Sequence, residues 1–410
     1  MNVSAPPRSS HLGYRIEELA WDEQPIGGLD LPKRRLEMVW GFGSGLTRRL
    51  SDPPGRVWAI GDRGPNLKVE VAIENYGLDT LGAHADAEGA KMMPRLDIGP
   101  ALAELQVRGD RVDLVRVMPL CDGQGLPLTG LPPPGSEHAR FEPIVDLFGK
   151  VIDPDPSGID SEGVVALPDG FVIGDEYGPS LLRLDGSGQV LERWVPEGCG
   201  KPYAGARYPV VERLPAIAQK RRLNRGIEAL AATPDGGLVM MFQSPLANPD
   251  TKASRKADHL RLWTLDAQGR FDREWLYAME PVASFRRDAG VKPAKRKVSE
   301  ITALGNGKFL VLERVSQSTK FFRVALDDGG ATVPDDGEPT LEQRSGNGEA
   351  LPSLTKTLVL DTDDHPEIGA DLEGATLMSP AELLLVNDND FGVEGARTRF
   401  WRVTFDQPLT

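Results

Sequence analysis

Four glutamates recur at nearly equal spacing. Glu162, Glu228, Glu300 and Glu373 lie 66, 72 and 73 residues apart, and each opens a similar unit. One copy reads Asp160-Ser161-Glu162-Gly163, an apolar run, Pro168-Asp169-Gly170, a second apolar run, then Asp175-Glu176-Tyr177-Gly178. The others begin at Gly226-Ile227-Glu228-Ala229, Val298-Ser299-Glu300-Ile301 and Asp371-Leu372-Glu373-Gly374. A repeat of this kind brings equivalent residues to equivalent places, so carboxylates gather. Carboxylates about 4 Å apart repel by roughly 4 kcal/mol per pair at an effective dielectric of about 20. Protonation, arginines such as Arg63 and Arg314, or a bound cation can offset that. Oxygen-only ligands favour calcium (Ca2+) over zinc or copper. The competing role for each Glu is mortar, a hydrogen bond to backbone amides of the next unit.

The elements that position these residues are short strands and tight turns. In the copy that starts at Asp160, apolar segments 163–167, 171–174, 181–184 and 190–195 alternate with the turns Pro168-Asp169-Gly170 and Asp185-Gly186-Ser187-Gly188. Proline presets the turn angle and glycine accepts positive φ. Four antiparallel strands per unit make a propeller blade. Later units repeat the pattern, and residues 43–62 resemble a first blade with a longer turn. The hairpin at 103–118 is assigned to a second, degenerate blade. The expected fold is therefore an all-β, six-bladed β-propeller, one domain over residues 13–410 after a flexible segment 1–12, with residues 14–20 closing the ring against the last blade. In a blade, the start of the first strand and the end of the second share a rim. That pairs Ser44 with Asp62, Glu162 with Asp175 and Glu176, Glu228 with Gln243, Glu300 with Glu313, and Glu373 with Asp388 and Asn389.

The net charge of −14 argues against nucleic acid as a partner, because phosphate backbones bind basic surfaces. No apolar run approaches the ~18 residues that span a bilayer, and the polar N-terminus lacks the apolar core of a signal peptide. Cys121 and Cys199 do not reveal the redox compartment, and no Cys/His cluster has zinc spacing. Three loops are locally basic: Lys220-Arg221-Arg222 with Arg225; Lys252 with Arg255 and Lys256; and Arg286-Arg287 with Lys292, Lys295, Arg296 and Lys297. All three are expected over the acidic rim, where they would receive an anionic ester. The chain has no Gly-x-Ser-x-Gly elbow, no phosphate loop and no dinucleotide fingerprint. Metal-assisted ester hydrolysis remains, with binding alone as the other possibility.

The elements Asp160-Ser161-Glu162-Gly163, Asp175-Glu176-Tyr177-Gly178, Asn224-Arg225-Gly226-Ile227-Glu228, Leu312-Glu313-Arg314 and Asn387-Asp388-Asn389-Asp390-Phe391 resemble the esterase-like activity of phytase family. Asp62-Arg63-Gly64 also fits, and Ala229 departs by replacing an expected glycine. The resemblance implies a propeller hydrolase acting on esters, phosphate esters among them, often exported. The expectation is a monomeric, calcium-dependent hydrolase of small anionic esters. Glu162, Glu228, Glu300, Glu373, Asp175, Asp388 and Asn389 would hold the cation. Glu313 and Glu176 would serve catalysis, and Arg63, Arg314 and Arg225 would contact the substrate anion. A lactonase-like carboxyl ester hydrolase, by analogy of architecture alone, and a non-catalytic binding propeller are the alternatives.

Overall fold

The computed structural model describes residues 8–9, 12–135, 141–327 and 329–410. The expected flexible segment 1–12 lies almost wholly outside them. The fold is mostly β, and its large sheets are blades. Ser161–Leu167, Gly170–Asp175, Ser180–Asp185 and Val190–Pro196 form one, extended by the parallel strand Val210–Leu214. The next contains Ile227–Ala232, Leu238–Phe242, His259–Leu265 and Phe271–Ala278. Lys297–Gly305, Lys308–Arg314, Thr319–Ala325 and Lys356–Asp361 make the one after it. The last joins Leu372–Ser379, Glu382–Asn387 and Phe400–Phe405 to the N-terminal strand Tyr14–Leu19. Tyr14 pairs with Phe405 and Leu19 with Phe400, so the chain's start closes the ring.

The expected count of six blades is corrected to five among the described residues. The hairpin assigned to a separate blade is the outer half of the first one. Arg56–Ile60 pairs along Ala101–Arg108, with Ile60 opposite Leu102, and the sheet runs Gly45–Thr47, Arg56–Ile60, Ala101–Arg108, Arg111–Pro119. Residues 61–100, which include helix Val69–Tyr76, intervene between its second and third strands. The innermost strands are neighbours in cyclic order: the first blade's lies against those of the second and fifth, and the others follow in sequence.

Apolar residues of adjacent blades fill the space between them. Trp194 and Val172 of the second pack with Leu230, Met240 and Trp263 of the third, all buried. Full burial of one such side chain is worth roughly 1.5–3 kcal/mol. The ring is tight at its centre. A Cβ on Gly163 would stand 2.1 Å from the Glu228 carbonyl oxygen of the next blade, so only glycine fits there.

Candidate functional site

A bulge in the blades aims the side chains that meet at the mouth, where the innermost strands begin. In the second blade Ser161 pairs with Asp175, and pairing resumes only at Val164–Ile173. In the third, Ile227–Phe242 is followed by Ala229–Met241. In the fifth, Leu372–Asn387 is followed by Gly374–Val386. The skipped residues are Glu162 (with Gly163), Glu228 and Glu373. An extra residue of this kind kinks the strand and redirects its side chain. In the fourth blade Val298–Glu313 is followed by Glu300–Leu312, so the skipped residue is Ser299, not Glu300. In the first blade Gly45 pairs with Ile60, which puts Ser44 at the corresponding place.

The facing position lies one residue past the pair at the bulge. It holds Asp62, Glu176, Gln243, Arg314 and Asp388 in the five blades. Two hydrogen bonds mark the relationship. The Gln243 amide donates to the Glu228 carboxylate, and Arg314 Nε donates to Ser299 Oγ at 3.0 Å.

On the side of blades one to three, five acids converge. Carboxylate oxygens of Asp62, Asp160 and Glu162 lie within 4.8 Å of one another, as do those of Glu162, Glu176 and Glu228, and all are buried. Glu162 belongs to both sets, yet it forms no ion pair within 4.0 Å among the described residues. Burial, then Glu228, Asp62, Asp160 and Glu176, push its carboxyl well above the usual range. Burial likewise raises Asp160 well above its ordinary value, against the pull of Arg63. Burial and Glu176 bring Glu228 up to about 8. Arg63 is the internal counter-ion of this cluster. It touches Asp160, lies 3.2 Å from Asp62 and 3.3 Å from Glu176, and donates to Asn224 Oδ1 at 2.9 Å.

The fourth blade supplies the opposite charge. Lys297, directly across from Arg314 in the ladder, is half-buried and forms no ion pair among the described residues. Burial, then Arg314 and Arg225, press its ammonium down to about 7, against Glu228 and Glu176. Arg225 is partly buried, and its Nη1 has no hydrogen-bond partner.

Several expected site residues sit elsewhere, each displaced by a single step. Asp175 is fully buried behind the rim, ion-paired with Arg193 and accepting from Ser180 Oγ at 2.7 Å. Asn389 turns inward, where it donates to Trp40 O at 3.1 Å and Thr398 Oγ1 at 2.9 Å. Glu313 lies between strands, bound by Tyr277 at 2.9 Å, the Glu280 amide at 2.7 Å and Lys356 at 3.2 Å, which removes it as a general base at the mouth. Glu300 reaches inside the ring and accepts from the Leu46 amide at 3.2 Å and its neighbour Ile301 at 2.9 Å. It is mortar. Alternate residues of a strand face opposite ways, so a one-residue slip exchanges rim for interior.

Glu373 and Asp388 do reach the mouth. Glu373 pairs with Arg314, which also lies 2.8 Å from Asp371. Asp388 is partly buried, and burial, Asp390 and Asp62 raise its carboxyl. Arg63 and Arg314 serve as counter-ions to the protein's own acids. Of the three expected anion contacts, Arg225 alone has no ion pair among the described residues. The third basic loop is largely paired: Arg286 lies 2.5 Å from Asp364, Arg287 3.3 Å from Asp363, and Arg296 2.5 Å from Asp258.

Sequence reasoning put Asp62 on the rim but not among the cation ligands, put Lys297 in a basic loop over the rim but not on the innermost strand, and missed Asp160 in the acid cluster. The register shows what three such positions share. Asp160, Lys297 and Asp371 each stand two residues before the bulge of their blade. The donor set fits a hard cation: carboxylates only, no nitrogen or sulfur, with Glu162 shared between the two triads.

Comparison with known proteins places the chain. It is 27% identical over 322 residues to a protein of Arthroderma benhamiae described as an uncharacterised secreted protein. The match covers 69% of this chain and 60% of that relative's length. A putative oxidoreductase (glucose dehydrogenase) of Thermus thermophilus aligns at 14% identity with a TM-score of 0.34, covering 95% of this chain and all of that one. The PQQ-bound aldose sugar dehydrogenase of Streptomyces coelicolor aligns at 12% with a TM-score of 0.33, covering 98% of this chain and all of that one. No helix among the described residues is long and apolar enough to cross a membrane. The family model for esterase-like activity of phytase matches residues 39–391, and the chain belongs to this phytase-like family.

Proposed function

We propose that the protein is a hydrolase of anionic esters, phosphate esters first, that depends on a divalent cation, calcium by the chemistry of its ligands. The observation that supports this most is Glu162. A carboxylate shared by two buried acid triads, with no described cation paired to it, is held at high electrostatic cost unless protons or a metal ion offset it. Asp62, Asp160, Glu162 and Glu228 would hold the ion. When bound, it would polarise the ester oxygen and neutralise charge that develops there.

The chain's own residues then divide the work. Arg225 and Lys297, without carboxylate partners among the described residues, orient the anionic group from the basic side. Glu176, at the junction of acid and basic sides, would take a proton from an attacking water. Arg63 and Arg314 hold the acids in position instead of touching substrate. The family's name and the secreted description of the Arthroderma benhamiae relative also support an exported hydrolase.

The test is release of phosphate from an aryl phosphate by purified protein, with excess calcium and with chelator. Calcium-dependent turnover that disappears in Glu162→Gln is the expected result. Equal turnover with chelator would remove the metal, and no turnover in either condition would remove the phosphoester and bring carboxyl esters forward.

A further inference from the structure

Asp62 belongs to the acid cluster and also stands at the start of the insertion that interrupts the first blade. The insertion folds back on itself as a small lobe. Leu67–Lys68 pairs with Lys91–Met92, which pairs in turn with Ile144–Val145. The lobe has a buried apolar core of its own, in which Val69, Ala72, Leu81 and Met92 cluster with Phe391 and Val393 of the fifth blade.

The return strand of this lobe holds the acid at its start. Lys91 Nζ donates to Asn66 Oδ1 at 3.0 Å, and Asn66 Nδ2 donates to Asp62 Oδ2 at 3.3 Å. The same Nδ2 donates to the Gly64 carbonyl at 3.0 Å, which fixes the turn between Asp62 and Asn66. The other carboxylate oxygen, Oδ1, is held by the Arg63 amide and Nε. Each carboxylate oxygen accepts more than one bond, so both can still face a cation. Lys91 is half-buried, and no carboxylate lies within 4.0 Å of its Nζ among the described residues. Burial, then Arg63, lower its ammonium, against the pull of Asp62, Asp390 and Glu142. An ammonium placed there for charge alone would sit against one of those acids, as Arg63 and Arg314 do. Lys91 instead binds a neutral amide, polarises it, and so strengthens the bond that the amide makes to Asp62.

We propose that Asn66 and Lys91 are positioning residues that fix the Asp62 carboxylate toward Asp160 and Glu162, so that the inserted lobe, and not the blades alone, sets the cation site. The inference deepens the cation reading and rests on it for the ligand role of Asp62. Partners that orient a ligand in this way cost about 10–100-fold in metal affinity when they are removed.

Calcium, titrated calorimetrically into Asn66→Ala and Lys91→Met, tests it. Affinity is expected to fall about tenfold or more in each. Charge alone predicts the opposite sign, because Lys91→Met takes a positive charge away from the acids and would tighten binding. Lys68→Met removes the same charge from the exposed residue opposite Lys91 in the ladder, and should leave affinity within about twofold. A crystal structure of metal-free Asn66→Ala supplies a second readout, which needs no calcium binding. The Asp62 carboxylate is expected to turn away from Asp160 and Glu162 while the blades stay in place. Unchanged or tighter calcium binding in either variant would overturn the positioning role. So would an equal loss in Lys68→Met, or an Asp62 carboxylate that keeps its place in the crystal. If wild-type protein binds no calcium and the carboxylate still turns, the cation reading fails and the hold of the lobe on Asp62 stands.

Discussion

Arg314 donates from Nε to Ser299 Oγ at 3.0 Å, and this bond occupies the place that Gln243 and Glu228 occupy one blade earlier. The acidic repeat is therefore broken in the fourth blade, and the mouth is polarised. Blades one to three present carboxylates, while blade four presents Arg314 and Lys297. Glu300, although it continues the spacing of the repeat, is turned into the ring.

Two glutamates at equivalent sequence positions should respond oppositely to the same change. Glu162→Gln removes a carboxylate shared by both acid triads, and calcium affinity is expected to fall at least tenfold with little loss of stability. Glu300→Gln should leave calcium affinity within about twofold. It weakens the bond to the Leu46 amide and should cost about 1 kcal/mol of stability. Calorimetric calcium titration and urea unfolding of both variants check this. Equal loss of calcium in the two would put Glu300 back among the ligands.

Asp175 makes a third contrast. Its ion pair with Arg193 is fully buried, and Ser180 and the Asp160 and Tyr177 amides complete its bonds. Asp175→Ala leaves a buried guanidinium without its anion, so a loss of about 3–5 kcal/mol is expected. Urea unfolding measures it. A loss below about 1 kcal/mol would show that water replaces the carboxylate.

The repeat and the strand–turn pattern were legible in the sequence, and so was the N-terminal strand that closes the last blade. The blade count was not. Residues 61–100 separate two strands of one sheet, so its outer hairpin looked like a unit of its own. The rim was half legible. Pairing Ser44 with Asp62, Glu228 with Gln243 and Glu373 with Asp388 follows from strand alternation alone. The errors at Asp175, Glu300, Glu313 and Asn389 share one cause. A bulge adds a residue without changing composition or hydropathy, and nothing in the repeat shows whether Ser299 or Glu300 is the residue skipped. Lys297 was seen as part of a basic loop because strand Lys297–Gly305 begins at the loop's last charge.

Close approach at the ring centre gives a steric prediction. Gly163→Ala places a methyl 2.1 Å from a backbone oxygen of the neighbouring blade, whereas Gly186→Ala meets nothing within 4 Å. The first should cost about 1–3 kcal/mol, with calcium affinity falling as Glu162 moves. The second should stay within about 0.5 kcal/mol. Thermal unfolding of the two variants decides it, and matching melting curves would mean that the innermost strands separate freely.

The charge pattern of the mouth also sets how the metal-free protein responds to pH. Burial raises Glu228 to about 8, so folding favours its protonated form. That contribution is complete below the unfolded carboxyl value and is lost as pH rises through about 8. Lys297, lowered to about 7, behaves in the opposite sense. Folding favours its neutral form, so its contribution is present above the unfolded lysine value and is lost as pH falls through about 7. Each group changes stability by at most about 1.4 kcal/mol per pH unit. Together they give a minimum near neutrality in chelator. Glu228→Gln should flatten the acid side of that minimum, and Lys297→Met the alkaline side. Urea midpoints in chelator between about pH 5 and pH 10 measure both limbs. A wild-type profile that Glu228→Gln leaves unchanged would mean that this carboxyl titrates alike in the folded and unfolded chain, and that the acid cluster is open to water instead of enclosed.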